Sequence, residues 1–165
     1  MLEDILDISY DLDFNYVNNY KEQLLINRSR VVFKCNNNYK TIKTLIKSKT
    51  INNFLYESGI YCIWKGSTIE YIGESHGEES CGRIRLYRFA KGTLGWNGPS
   101  ESHRGADIFK KRYPDRTLEN LFVSFAKIPD FIKEQYSNRN NKYLEQHLKN
   151  IERYLINDLQ PPCNK

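Results

Sequence analysis

Residues 59–73 read Gly-Ile-Tyr-Cys-Ile-Trp-Lys-Gly-Ser-Thr-Ile-Glu-Tyr-Ile-Gly, and the pairing of this stretch with itself decides the fold. Ile60–Trp64 and Ile69–Ile72 are rich in β-branched and aromatic residues, which fit a pleated, half-buried surface. Between them Lys65-Gly66-Ser67-Thr68 has the composition of a tight turn, so the stretch predicts a β-hairpin. Its register has two solutions. A loop of Lys65-Gly66-Ser67 pairs Trp64 with Thr68 and sets Tyr61 opposite Tyr71 on one face. A two-residue Gly66-Ser67 turn shifts the pairing by one and sends the phenols to opposite faces, unless a bulge intervenes.

Downstream, Gly82–Lys91 sets Ile84, Tyr87 and Phe89 among basic residues, which predicts an amphipathic helix stopped by Gly92. The Gly-, Pro- and Ser-bearing residues 92–104, with Trp96 among them, form an irregular excursion before a short helix over Ala106–Tyr113. Leu121–Ile128 alternates as a third strand, and Leu144, Leu148, Ile151, Leu155 and Leu159 recur at helical spacing over Tyr143–Leu159, which Pro161-Pro162 ends. Upstream, Arg30–Lys34 suits a short strand after an acidic segment of weak helical periodicity. Thr41–Leu55 predicts a helix burying Ile42, Leu45, Ile46 and Phe54, and the Asn-rich patches at Asn36–Asn38 and Asn138–Asn141 predict loops. This order predicts an α+β architecture: a small antiparallel three-stranded sheet flanked by helices over residues 58–165. Residues 1–57 are then an N-terminal extension packed on that core.

At 165 residues the chain has the size of one ordinary domain. No apolar run approaches the roughly 18 residues of a membrane span. Glu3, Asp4 and Asp7 stand where an export signal carries basic residues, so a cytoplasmic protein is expected. Cys35, Cys62, Cys81 and Cys163 show no C-x-x-C spacing and imply neither zinc nor a disulfide framework; His76, His103 and His147 share no metal-like spacing. The net charge of +5 hides an asymmetry: residues 1–27 hold six carboxylates against Lys21, leaving a body of net charge about +10 that suits a polyanionic partner.

The tripeptides Gly59-Ile60-Tyr61 and Tyr71-Ile72-Gly73 on paired strands resemble the GIY-YIG nuclease family. Arg83-Ile84-Arg85-Leu86-Tyr87 resembles that family's arginine helix. Glu152-Arg153-Tyr154-Leu155-Ile156, followed by Gln160-Pro161-Pro162-Cys163-Asn164, resembles its closing motif. The resemblance spans residues 58–164 and implies a metal-dependent endonuclease that hydrolyses phosphodiester bonds in double-stranded DNA. It implies Tyr61, Tyr71, Arg83, Tyr87 and Glu152 as catalytic residues and Gly59, Gly73 and Asn164 as supporting ones. Glu152 is the implied ligand of Mg2+, for which Mn2+ can substitute, with no zinc and no nucleotide, and Tyr61 is the implied activator of water. Many relatives carry histidine at Tyr87 and lysine at Glu74, which sets this chain in a tyrosine-bearing subgroup and leaves its base open.

Four positions apart on a helix, Arg83 and Tyr87 share a face from which a guanidinium and a hydroxyl could hold one phosphate. Arg85, pointing elsewhere, joins Arg88, Lys91, Arg104 and Lys110 as candidates for the DNA backbone. With no appended DNA-binding module after the core, a sequence-specific, type II restriction-like enzyme is expected, with residues 1–57 serving recognition or dimerisation. Cutting both strands then calls for a homodimer or sequential nicking. The alternatives are a homing or repair nuclease of the same family, or a non-catalytic DNA-binding or interaction module retaining the fold.

Overall fold

The computed structural model describes residues 14–46, 56–76, 81–98, 103–115, 118–136 and 141–165. Helix α1 (Phe14–Ile26) is followed by strands β1 (Arg28–Asn36), β2 (Thr41–Ile46), β3 (Gly59–Lys65) and β4 (Thr68–Ser75). Helices α2 (Gly82–Leu94) and α3 (Arg104–Arg112), strand β5 (Leu121–Lys127), and helices α4 (Asp130–Gln135) and α5 (Asn141–Leu159) complete the chain, with a 3-10 turn at Pro162–Asn164. The strands form one antiparallel sheet in the order β2-β1-β5-β3-β4. The α+β class is as expected, but the sheet has five strands rather than three, because β1 pairs with β5 and carries β2 beside it. Residues on either side of position 57 are therefore joined by one ladder.

Alternation along the central strand β3 assigns its two faces. Ile60, Cys62 and Trp64 pack with Ile72 and Ala126 against Val17, Tyr20 and Leu24 of α1, Ile132 of α4, and Leu148, Ile151 and Leu155 of α5. Tyr61 and Ile63 pack with Val123 and Phe125 against Leu86 and Phe89 of α2 and Ala106 and Phe109 of α3. Helices thus cover both faces, which is why β3 reads as an unbroken apolar run. Trp64 keeps its indole satisfied in this core by donating to Ser124 Oγ at 2.9 Å.

The hairpin adopts both features that the sequence left open. Gly66, at φ +59°, and Ser67 make a two-residue turn that pairs Lys65 with Thr68 and Trp64 with Ile69. The register then shifts, so that Ile63 faces Tyr71, Cys62 faces Ile72 and Tyr61 faces Gly73. Glu70 is the extra residue, and this bulge returns Tyr61 and Tyr71 to one face of the sheet. Its carboxylate is fully buried, an expense met by Arg112, which donates from Nε at 2.8 Å and Nη2 at 3.2 Å, and by a short hydrogen bond from the Tyr113 hydroxyl.

Thr41–Ile46 is a strand where a helix was expected. Four of its six residues are β-branched, and the preceding turn closes a hairpin: Asn36 Oδ1 accepts from the backbone N–H groups of Asn38 and Tyr39 at 3.1 and 3.2 Å, and Lys40 turns left-handed at φ 49°. The rest of that expected helix, residues 47–55, lies outside the described residues, as do residues 99–102 of the excursion and 138–140 of the second Asn patch. Helix α4, with Ile132 buried, had no periodic signal long enough to announce it. No helix among the described residues is long and apolar enough to cross a membrane.

Strand β4 is a sheet edge, and the end of the chain covers part of it. Asn164 Oδ1 accepts from Ile72 N–H at 2.7 Å while its Nδ2 donates to Ile72 C=O at 2.8 Å, so one side-chain amide stands in for a neighbouring strand. Asn164→Ala leaves both backbone groups short of a partner and should lower stability by about 1–3 kcal/mol in urea unfolding. An unchanged midpoint would mean that water replaces the amide without cost.

A candidate active site against the central hairpin

The bulge brings the two phenols together as diagonal neighbours, with ring centroids 6.1 Å apart and planes inclined at 45°. Each ring lies against a glycine. A Cβ on Gly73 would stand 2.5 Å from Cζ and Oη of Tyr61, and one on Gly105 would stand 2.6 Å from the Tyr71 ring. Gly59 has a different duty, since a Cβ there would meet the Ala126 carbonyl oxygen at 2.2 Å across the β3–β5 ladder. Gly59, which opens one tripeptide, and Gly73, which closes the other, thus each have a steric reason, sheet closure for the first and the ring for the second.

Arg85, not Arg83, accompanies the tyrosines. The core stripe of α2 is Leu86, Phe89 and Ala90, and residues two apart on a helix diverge by about 200°, so Arg83 and Arg85 leave on opposite flanks of that stripe. Arg85 Nη2 donates to Glu74 Oε1 at 3.2 Å, while its buried Nε has no hydrogen-bond partner among the described residues. Arg85 also borders a cavity of about 310 Å³ together with Tyr71, His103, Arg104 and Asn164. Arg83 and Tyr87 do stay together, but they line a separate groove of about 510 Å³ with Ile42, Lys43 and Thr44 of β2 and Tyr56. Lys91 Nζ sits 5.8 Å from the centre of the Tyr87 ring, on that side of the helix.

Glu152 projects from α5 into the field of the same groups. Burial, and then the charge of Glu74, raise its carboxyl to about 7 against the opposing influence of Arg85, Lys149 and Arg153. Burial, Tyr71 and the carboxylates of Glu152 and Glu74 hold the Tyr61 phenol well above its ordinary value despite Arg85. Tyr71 is pushed up to about 12 by burial and Glu152, with Arg85 and a hydrogen bond from Tyr61 opposing. Both hydroxyls are therefore neutral donors near pH 7.

Three residues that were not among the expected site residues join this neighbourhood. Glu74, nearly buried, accepts from Arg85 with one oxygen and contacts His76 Nδ1 at 2.6 Å with the other. His103 caps α3 by accepting from Ala106 N–H through Nδ1 at 3.1 Å, which in the neutral ring puts its hydrogen on Nε2, and its ring packs tilted against that of Tyr71 at 5.4 Å. Burial, then Arg85, lower its affinity for a second proton. The alternation Glu74-x-His76 was the available clue, since strand residues two apart share a face. Of the expected backbone-binding cations, Arg104 borders the cavity, Arg88 is exposed and adds to the field at His103, and Lys110 pairs with Asp107 at 3.2 Å.

Comparison with known protein families, characterised proteins and solved structures returns no match for this chain.

The raised carboxyl of Glu152 fixes the sign of a stability effect. Its folded value near 7 exceeds the ordinary 4.5, so between those limits the unfolded chain releases a proton that the folded one retains. Stability from this group is full below about pH 4.5 and is lost as pH rises to 7. Glu152→Gln should remove that loss, gaining on the order of 2 kcal/mol over wild type between pH 4.5 and 8 once partial solvent access is allowed for. Parallel pH profiles in urea unfolding would show that the carboxylate is not desolvated.

Proposed function

We propose that this chain is a metal-dependent DNA endonuclease of the GIY-YIG type, a cytoplasmic restriction-like enzyme that hydrolyses phosphodiester bonds in duplex DNA. The observation that carries this reading is the meeting of two neutral phenols, one buried and one partly buried, with one guanidinium and one desolvated carboxylate from four separate elements. Arg85 takes the part that the sequence resemblance gave to Arg83. Its Nη2 is held by Glu74, and the guanidinium borders the cavity, where a phosphate oxygen could reach its remaining N–H groups.

A phenol near 12 would need about 7 kcal/mol to become phenolate at pH 7, so Tyr61 and Tyr71 serve as hydrogen-bond donors to phosphate and water rather than as bases. Tyr71 borders the cavity and meets the phosphate; Tyr61, beneath it, orients Tyr71. Glu152 is the residue to hold Mg2+ or Mn2+, and its fit rests on its environment: a carboxyl kept near 7 by burial and a neighbouring acid gains most from a hard cation. A cation there would supply charge stabilisation for the phosphate under attack and would lower the pKa of nearby water. Arg104, at the border of the cavity, and the exposed Arg88 of α2 are the anchors for the duplex backbone, and double-strand cleavage engages a homodimer or two successive nicks.

Plasmid cleavage with Mg2+ or Mn2+ tests this. Arg85→Ala should cost about a hundred- to a thousandfold in rate and Arg83→Ala no more than a few fold. Glu152→Ala should end cleavage while salt-sensitive DNA binding survives. Equal losses from the two arginine variants would return the phosphate site to Arg83, and wild-type protein that binds DNA without ever cutting it would leave a binding module.

A further inference from the structure

Where β4 ends beside α5, Glu74, His76 and Glu145 bring one ligand atom each to within 4.8 Å of one another. The imidazole of His76 lies between two acids: Glu74 Oε2 stands 2.6 Å from Nδ1, and Glu145 Oε2 stands 3.4 Å from Nε2. A carboxylate accepts, so the short contact has Nδ1–H donating to Glu74 and turns Nε2 toward a Glu145 oxygen, an arrangement held together by a positive charge between the two atoms, a proton or a metal ion. A spacing of 3.4 Å is what two ligands make around one ion with bonds of about 2.1 Å in tetrahedral geometry. A carboxylate on the far nitrogen is also the usual second partner of a metal-bound histidine, fixing its tautomer and ring orientation.

We propose that His76 Nε2 and the Glu145 carboxylate bind a divalent transition-metal ion, Mn2+ or Zn2+, with Glu74 orienting the ring and water completing the coordination. An imidazole ligand selects such ions over Mg2+. The position suits exchange with solvent, because the His76 and Glu145 side chains are 15% and 32% exposed while Glu74 is 4% exposed. Lys149 Nζ occupies Glu145 Oε1 at 2.5 Å and competes with the ion, so affinity is limited by that lysine. The site stands on β4 and α5 alone and does not depend on the nuclease reading. Glu152 lies two helical turns further along α5 and is not one of its ligands.

Isothermal titration with Zn2+ and Mn2+ paramagnetic resonance on DNA-free, full-length protein test it, in a Glu152→Gln background that removes the acid assigned to catalysis. The expected result is one ion per chain, with affinity falling at least tenfold in Glu145→Gln and in His76→Ala, about tenfold in Glu74→Gln, and rising in Lys149→Met. Glu145 is partly exposed, so its variant keeps the test open if His76→Ala fails to fold. Absence of binding, or binding indifferent to both His76→Ala and Glu145→Gln, overturns the proposal and leaves a proton as the charge between the two groups. In the chain that keeps Glu152, loss of the metal in Glu145→Gln with DNA cleavage intact would support this site, and metal bound by a wild-type chain that never cuts DNA would count against the nuclease reading alone.

Discussion

The extra residue in β4 is the constraint on which the rest of the arrangement depends. Without Glu70 out of register, the two-residue turn at Gly66-Ser67 would carry the Tyr61 and Tyr71 side chains to opposite sides of the sheet, one against α5 and one against α3. The bulge is costly, since it breaks the ladder and takes a carboxylate out of water. It persists because α3 brings Arg112 and Tyr113 to that carboxylate, and Cys163 closes over it at 3.6 Å. The same helix presents Gly105 to the Tyr71 ring and His103 to its face. One short helix therefore both holds the irregularity and builds the wall of the cavity that the irregularity creates.

Electrostatically the neighbourhood is an acid cluster organised by one guanidinium. Glu74 and Glu152 raise each phenol, Glu74 raises Glu152, and Arg85 opposes all three effects without overcoming burial. Such a set is short of positive charge. Around it the chain keeps Lys149 on Glu145 and a histidine between Glu145 and Glu74, which are compensations of the kind that buried acids require.

The sequence carried the sheet's centre well and its edge poorly. The hairpin of β3 and β4, the strand β5 and the apolar stripe of α5 all follow from period and turn composition, because both faces of β3 are buried and every side chain on it is constrained. Thr41–Ile46 was ambiguous at the level of period: Ile42, Leu45 and Ile46 fit a helical stripe, and only the Asn36 turn, which acts through hydrogen bonds to Asn38 and Tyr39, commits them to pairing with β1. The bulge was legible only as an alternative, since nothing about Glu70 in isolation marks it as the residue to be set aside; its partners at 112, 113 and 163 are distant in the chain.

The arginine shows why a site is harder to read than a fold. Spacing of four correctly joined Arg83 to Tyr87 on one flank of α2, where both line the groove beside β2. Which flank faces the tyrosines depends on the rotation of the helix about its own axis, and that is set by Leu86, Phe89 and Ala90 finding the sheet. Position 74 settles the matter a second way: a lysine there would repel Arg85, whereas the nearly buried glutamate requires a cation and draws in the guanidinium within reach. Glu74 is thus the residue that selects the arginine, and an acid at that point of the strand fixes the neighbouring positive charge on the helix.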